Sequence, residues 1–84
     1  MTIARADETY LIKDTYKDYT VSGSIVYPTD DNKRISVSLS KDNKYVSASI
    51  DNNGVYISNG TIDTILMLEY LSINLNEINN FKKP

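Results

Sequence analysis

The residues that could do chemistry in this chain are few, and what is missing restricts them further. It has no His and no Cys, so neither a Ser-His nor a Cys-His nucleophile pair can be assembled, and acid-base work falls to carboxylates. Asp30, Asp31, Asp42 and Asp51 all stand in Asn- and Gly-rich stretches. There Asp is chosen for hydrogen bonds to its own backbone, which makes a turn role the expectation over a catalytic one. Asp51-Asn52-Asn53-Gly54 offers oxygen ligands but lacks the alternating acids and closing Glu of a calcium loop. No metal, no cofactor and no catalytic residue is expected. The remaining reactive type is the aromatic hydroxyl: Tyr45 and Tyr56 are the side chains on which a base or a partner's surface could stack.

The elements that position these residues are written as a repeat. DNKRISVS from Asp31, DNKYVSAS from Asp42 and DNNGVYIS from Asp51 each place a polar turn before an alternating strand, the period-two pattern of a half-buried β-strand. Ile35, Val37 and Leu39 alternate with Ser36, Ser38 and Ser40. Val46, Ala48 and Ile50 alternate with Tyr45, Ser47 and Ser49. The run from Tyr19 to Tyr27 keeps the same rule, so every serine but Ser72 falls on one face. A slip of one residue would invert a whole strand, and the apolar parity therefore specifies register as well as core side.

These signals predict an α+β fold. A four-stranded antiparallel β-meander spans about 19–27, 34–40, 45–50 and 54–58, with a helix or helix pair over about 61–81 packed on one face. Gly23 inside the first strand marks a bulge or a close backbone approach, and Pro28 ends that strand. Asn53-Gly54 is a strong hairpin signal. Beyond Gly60 the period changes to 3.6, with Thr61 as N-cap, Asp63 in the first turn, and Ile65, Leu68 and Leu71 toward the sheet. Asn74-Leu75-Asn76-Glu77 reads as a second N-cap that breaks the helix in two, while a single helix to Phe81 keeps the same stripe. Residues 6–17 read as a short helix, through the spacing of Ile12, Tyr16 and Tyr19, or as an extra strand, with the helix favoured.

The chain of 84 residues is one domain with 21 Ile, Leu and Val and no disulfide, so its apolar core must hold the fold alone. A net charge of −2 argues against a protein devoted to neutralising phosphates. The N-terminus is charged where a signal peptide needs an apolar core, and no run approaches the roughly 20 apolar residues of a membrane span. A cytoplasmic location, in the bacterial host if the chain is phage-encoded, and no membrane association are the expectations.

A small, acidic, cysteine-free chain that opens its first strand with Lys17-Asp18-Tyr19-Thr20-Val21, then adds hairpin-linked strands and a C-terminal helical pair, resembles the small phage-encoded anti-CRISPR inhibitors of type II effector nucleases. The resemblance implies a phage or mobile-element inhibitor that occludes a site on a host protein such as a CRISPR effector nuclease. Those proteins imitate DNA by being strongly acidic, and the −2 of this chain departs from that. The residues themselves point to two partner surfaces. One is the serine face, with Tyr45 and Tyr56 as side-by-side anchors among serines such as Ser38 and Ser47. The other is the acidic loop end at Asp30, Asp31 and Asp51. A weak single-stranded nucleic-acid module using the two tyrosines, not favoured because Lys33/Arg34 and Lys41/Lys44 lie at opposite sheet ends, and a self-associating homo-oligomer are the alternatives.

Overall fold

Strand periodicity begins well before Tyr19. In the computed structural model, which describes residues 1–29, 31–58, 60 and 64–82, the described residues form six strands: β1 (Thr2–Ala6), β2 (Thr9–Tyr16), β3 (Tyr19–Thr29), β4 (Asn32–Lys41), β5 (Lys44–Asp51) and β6 (Gly54–Ile57), followed by one helix, α1 (Thr64–Asn79). The strands form a single open sheet in the order β1 to β6, each antiparallel to the next. The α+β class holds, and the sheet has six strands where four were expected.

One of the two additional strands, β2, comes from the segment read as a helix, where an extra strand was the other reading, and β1 lies just before it. Tyr10, Ile12, Asp14 and Tyr16 point to the helix side and Leu11, Lys13 and Thr15 away from it, a strict alternation. The misleading cue was the i, i+4 spacing of Ile12 and Tyr16, because four residues return to one face of a strand as well as of a helix. Tyr19 joins them because it pairs with Tyr16 across the Lys17-Asp18 turn. Both turn residues have positive φ, 48° and 68°, which twists the connection to match its strands.

Pro28 does not end β3. The strand continues to Thr29, and the register shifts between Val26 and Thr29, placing the residue without an N–H where the ladder is already irregular. Gly23 sits in unbroken register between Ile12 and Val37, so close approach and not a bulge explains it: a Cβ there would lie 2.3 Å from the Ser36 carbonyl oxygen. The β5–β6 loop is Asn52-Asn53, one residue earlier than the Asn53-Gly54 pair suggested. Gly54 follows with φ of 145°, while the Asp51 carboxylate accepts the Asn53 N–H at 2.8 Å.

The helix is continuous. Ser72 donates to the Glu69 carbonyl at 2.7 Å and the Asn74 amide to the Tyr70 carbonyl at 3.1 Å, so the polar residues expected to break it bond back along the same helix. Thr61 and Asp63, expected to open it, lie outside the described residues. Its phase also differs from the expected stripe. Met67, Tyr70, Leu71 and Ile78 are buried, whereas Ile65 and Leu68 are 60% and 53% exposed. The run Ile65-Leu66-Met67-Leu68 is apolar all round and sets no phase. Tyr70 does, by donating to the Asp14 carboxylate on β2 at 2.9 Å.

The core lies between α1 and the inner faces of β2 to β5, with Ile12, Ile25, Val37, Leu39 and Val46 almost wholly inaccessible. Val55 and Ile57 were expected in it. As residues of the last strand they lie at its margin, Val55 40% exposed and Ile57 half-buried. At the helix C-terminus Lys33 donates to the carbonyls of Asn79 and, at 3.0 Å, Phe81, partners for groups that have none within the helix.

Val37→Ala is expected to destabilise the fold by about 1 to 3 kcal/mol through lost burial and a cavity, and Ser38→Ala by no more than about 0.5 kcal/mol. Thermal melts compare the two directly, and equal shifts would refute the assignment of faces. Gly23→Ala, with only a methyl added, should lower stability by about 1 to 3 kcal/mol because the Ser36 carbonyl is backbone and cannot step aside.

Candidate functional site: the serine face

The registers stack the serines into rows that cross the sheet. One row runs Thr2, Lys13, Ser22, Ser38, Ser47 and on to Ser58, and the next runs Ala4, Leu11, Ser24, Ser36, Ser49 and Tyr56. A third, shorter row holds Thr15, Thr20, Ser40 and Tyr45. Eight serines therefore share the face opposite α1. Several hydroxyls bond locally: those of Ser24 and Ser36 lie 3.0 Å apart, those of Ser47 and Ser58 2.6 Å apart, and Ser38 donates to the Ser22 carbonyl at 3.3 Å. A shallow depression of about 370 Å³ lies over Gly23, lined by Ser22, Ser24, Ser36, Ser38 and Ser47. Toward the β3–β4 turn a second one of about 300 Å³ adds Val26, Arg34 and Asp51.

Both tyrosines are on this face and open to solvent, Tyr45 at 52% and Tyr56 at 56%. They are not side by side. Tyr56 stands opposite Ser49, four residues along β5 from Tyr45, which at about 3.3 Å per residue separates them by roughly 13 Å. They bracket a serine plateau that includes Ser38 and Ser47. Thr9, Leu11, Lys13 and Thr15 of β2 extend the face, and the alternation of TYLIKDTY, which the less favoured extra-strand reading used, is the signal that marks them.

Of the acidic loop residues, Asp30 lies outside the described residues, and Asp31 and Asp51 are exposed. The β3–β4 and β5–β6 turns do meet, through the Asn52 side-chain amide donating to the Asn32 side-chain oxygen. Tyr27, Asp31, Lys33, Asn52 and Phe81 surround a cavity of about 370 Å³ beside that junction. The sheet order sets this end, with the turns after β1, β3 and β5, against the opposite end, with the turns after β2 and β4. Lys33/Arg34 and Lys41/Lys44 are thus far apart, and the strand cations on the serine face are Lys13, in the first row, and Arg34, opposite Val26 beyond the second.

The perturbed titrating groups lie under the helix and not on the serine face. Burial alone would raise the Asp14 carboxyl, but the Thr15 N–H, the Tyr70 hydroxyl and the N-terminal ammonium at 3.6 Å together hold it below its usual value. Tyr70 is pushed well above the usual phenol range by burial first and then by its bond to Asp14. Burial lowers Lys33. On the surface, the Glu69 carboxylate, 3.1 Å away, raises Lys17. Among the described residues no group of three or more His, Cys, Asp or Glu could hold a metal ion. The chemistry available to the face is hydrogen bonding by hydroxyls and stacking on two phenol rings. No protein-family model, no curated protein and no solved structure matches this chain.

The Asp14–Tyr70 pair makes stability depend on pH in a definite direction. The lowered carboxyl contributes fully above about pH 4, its ordinary value, and less as pH falls through the native one; the raised phenol contributes below about pH 10 and less as pH rises through its native value. Tyr70→Phe should cost about 1 to 3 kcal/mol at pH 7. Urea unfolding at pH 7 and pH 2 should show the gap to the parent protein narrowing in acid.

Proposed function

We propose that this chain is a small non-enzymatic binding protein that docks its serine face on a host protein and blocks a site there, as a phage or mobile-element inhibitor would. The observation that carries this reading is the plateau itself. Its centre, on β3 to β5, bears hydroxyls and no charge, and exposed Tyr45 and Tyr56 stand on its β5–β6 side. Serine side chains lose little rotamer freedom on burial, and tyrosine offers a large apolar ring with a polar tip, which is why it is enriched at interfaces. Such a mechanism needs no cofactor. No helix among the described residues is long and apolar enough to cross a membrane, and the cytoplasm of a bacterial host is where the partner would be met. The anti-CRISPR resemblance makes a type II effector nuclease the first partner to try.

Tyr45→Ala combined with Tyr56→Ala should abolish partner capture from a bacterial lysate, and inhibition of the nuclease if that is the partner, with the circular dichroism spectrum unchanged. Loss of one central anchor commonly weakens binding about 30-fold, and loss of a rim serine very little. If capture survives the double change but fails when Asp30, Asp31 and Asp51 become Asn, binding resides at the acidic loop end. A gel shift on single-stranded DNA or RNA that the tyrosine changes remove would replace the protein partner with a nucleic acid.

A further inference from the structure

The outer edge of β6 has the form of a strand-receiving site. β6 closes the strand order, with β5 on one side and no described strand on the other. In an antiparallel ladder hydrogen-bonded and non-bonded pairs alternate. The Ser58 N–H donates to the Ser47 carbonyl at 2.9 Å, so the pairs two and four residues along, Ser49 with Tyr56 and Asp51 with Gly54, are bonded as well. The N–H and C=O groups of Val55 and Ile57 therefore face away from β5, out of the sheet. Edges are commonly guarded by charge, by proline or by a covering segment. β6 reads GVYI, with neither charge nor proline, and its Val55 and Tyr56 side chains are exposed.

We propose that a second copy of this chain pairs at this edge, β6 against β6 in antiparallel orientation, about a twofold axis at Tyr56. In that register Val55 stands opposite the partner's Ile57, and Ile57 opposite the partner's Val55. Each of these two pairs exchanges two backbone bonds, four in all, and the outward groups of both residues are matched. Tyr56 meets its own counterpart as a non-bonded pair, the arrangement in which facing side chains come closest and aromatic pairs add to strand pairing. Val55 and Ile57, incompletely covered by α1, meet the partner's pair on the inner face. The same rotation sets the Lys44 end of β5 in one copy toward the Asp51 end in the other, opposite charges, where a parallel arrangement would bring like ends together. The two sheets become one, and their serine faces continue into each other. A contact this short buries less than the roughly 800 Å² per partner of a standard interface, so the dimer forms with rising concentration. Tyr56 borders both surfaces, so Tyr45→Ala, which should weaken docking and leave this pairing intact, separates the edge contact from the docking function.

The chain's lack of cysteine allows a register-specific test. Facing Cα atoms in a non-bonded pair are about 4.5 Å apart, within disulfide range. Under mild oxidation Tyr56→Cys should crosslink to twice the 9.5 kDa chain mass, at least tenfold faster than Ser49→Cys or Ser58→Cys, which lie off the axis. Sedimentation velocity on the unaltered protein should show a concentration-dependent species of that doubled mass. Tyr56→Lys, which opposes two like charges on the axis, should remove it without changing the circular dichroism spectrum. Equal crosslinking at the three positions overturns the register, and a single 9.5 kDa species at all concentrations overturns the dimer. A doubled species in sedimentation that Tyr56→Cys fails to crosslink overturns the edge pairing and places the contact elsewhere on the protein.

Discussion

Two-residue turns are the constraint on which this structure depends. Four of the five connections leave two residues between paired partners, at 7–8, 17–18, 42–43 and 52–53, and between β3 and β4 the register shifts by one residue between Val26 and Thr29. At those four turns the flanking residues stand directly opposite each other and parity on one strand passes unchanged to its neighbour, while the β3–β4 shift brings Ile25 opposite Ile35 and keeps the aliphatic residues of both strands on one face. One inserted residue in any of those four turns would shift the following strand by one and exchange its outer residues for its inner ones. The rows of hydroxyls and the buried aliphatic layer are two faces of one registration.

That constraint also explains what could be read in the sequence. From β3 to β6 the serine alternation displayed the strands, their faces and most of the core, because Ser and Val at period two admit one reading. Residues 6–17 were harder, since Leu and Thr on the outer parity and Tyr and Asp on the inner one blur the contrast, and Ile12 with Tyr16 satisfies both periods. The helix could be located but not oriented. Four consecutive apolar residues from Ile65 to Leu68 leave its rotation to a partner 56 residues away, the Asp14 carboxylate that receives the Tyr70 hydroxyl. The face of the site was legible in the same way, while its spacing was not: Tyr45 and Tyr56 share a parity, and only the strand register shows the serines between them.

One helix covers a wide sheet through a small number of polar ties added to its apolar stripe. Tyr70 on Asp14 fixes the rotation, Glu69 on Lys17 holds the first half near the β2–β3 turn, and Lys33 holds the last carbonyls near the β3–β4 turn. Tyr10, Tyr27 and Phe81 close the layer at that end, with ring centroids 5.1 to 5.9 Å apart. None of these ties involves the serine face. Its side chains can therefore be altered for binding with little consequence for the core, an arrangement suited to a recognition surface.

The sequential strand order has a consequence for how the chain acquires its structure. Because every strand pairs only with its neighbours along the chain, the separation between partners stays short for a β-rich protein, and short separation favours fast folding. The sheet can be assembled hairpin by hairpin in the order of synthesis. The helix cannot: its ties to Asp14 and Lys17 close loops of 56 and 52 residues, and its own residues leave the ribosome after those of the sheet. Until α1 docks, the aliphatic face of the finished meander is open to water and to other chains. That interval is the one in which a nascent copy is most exposed to misassembly.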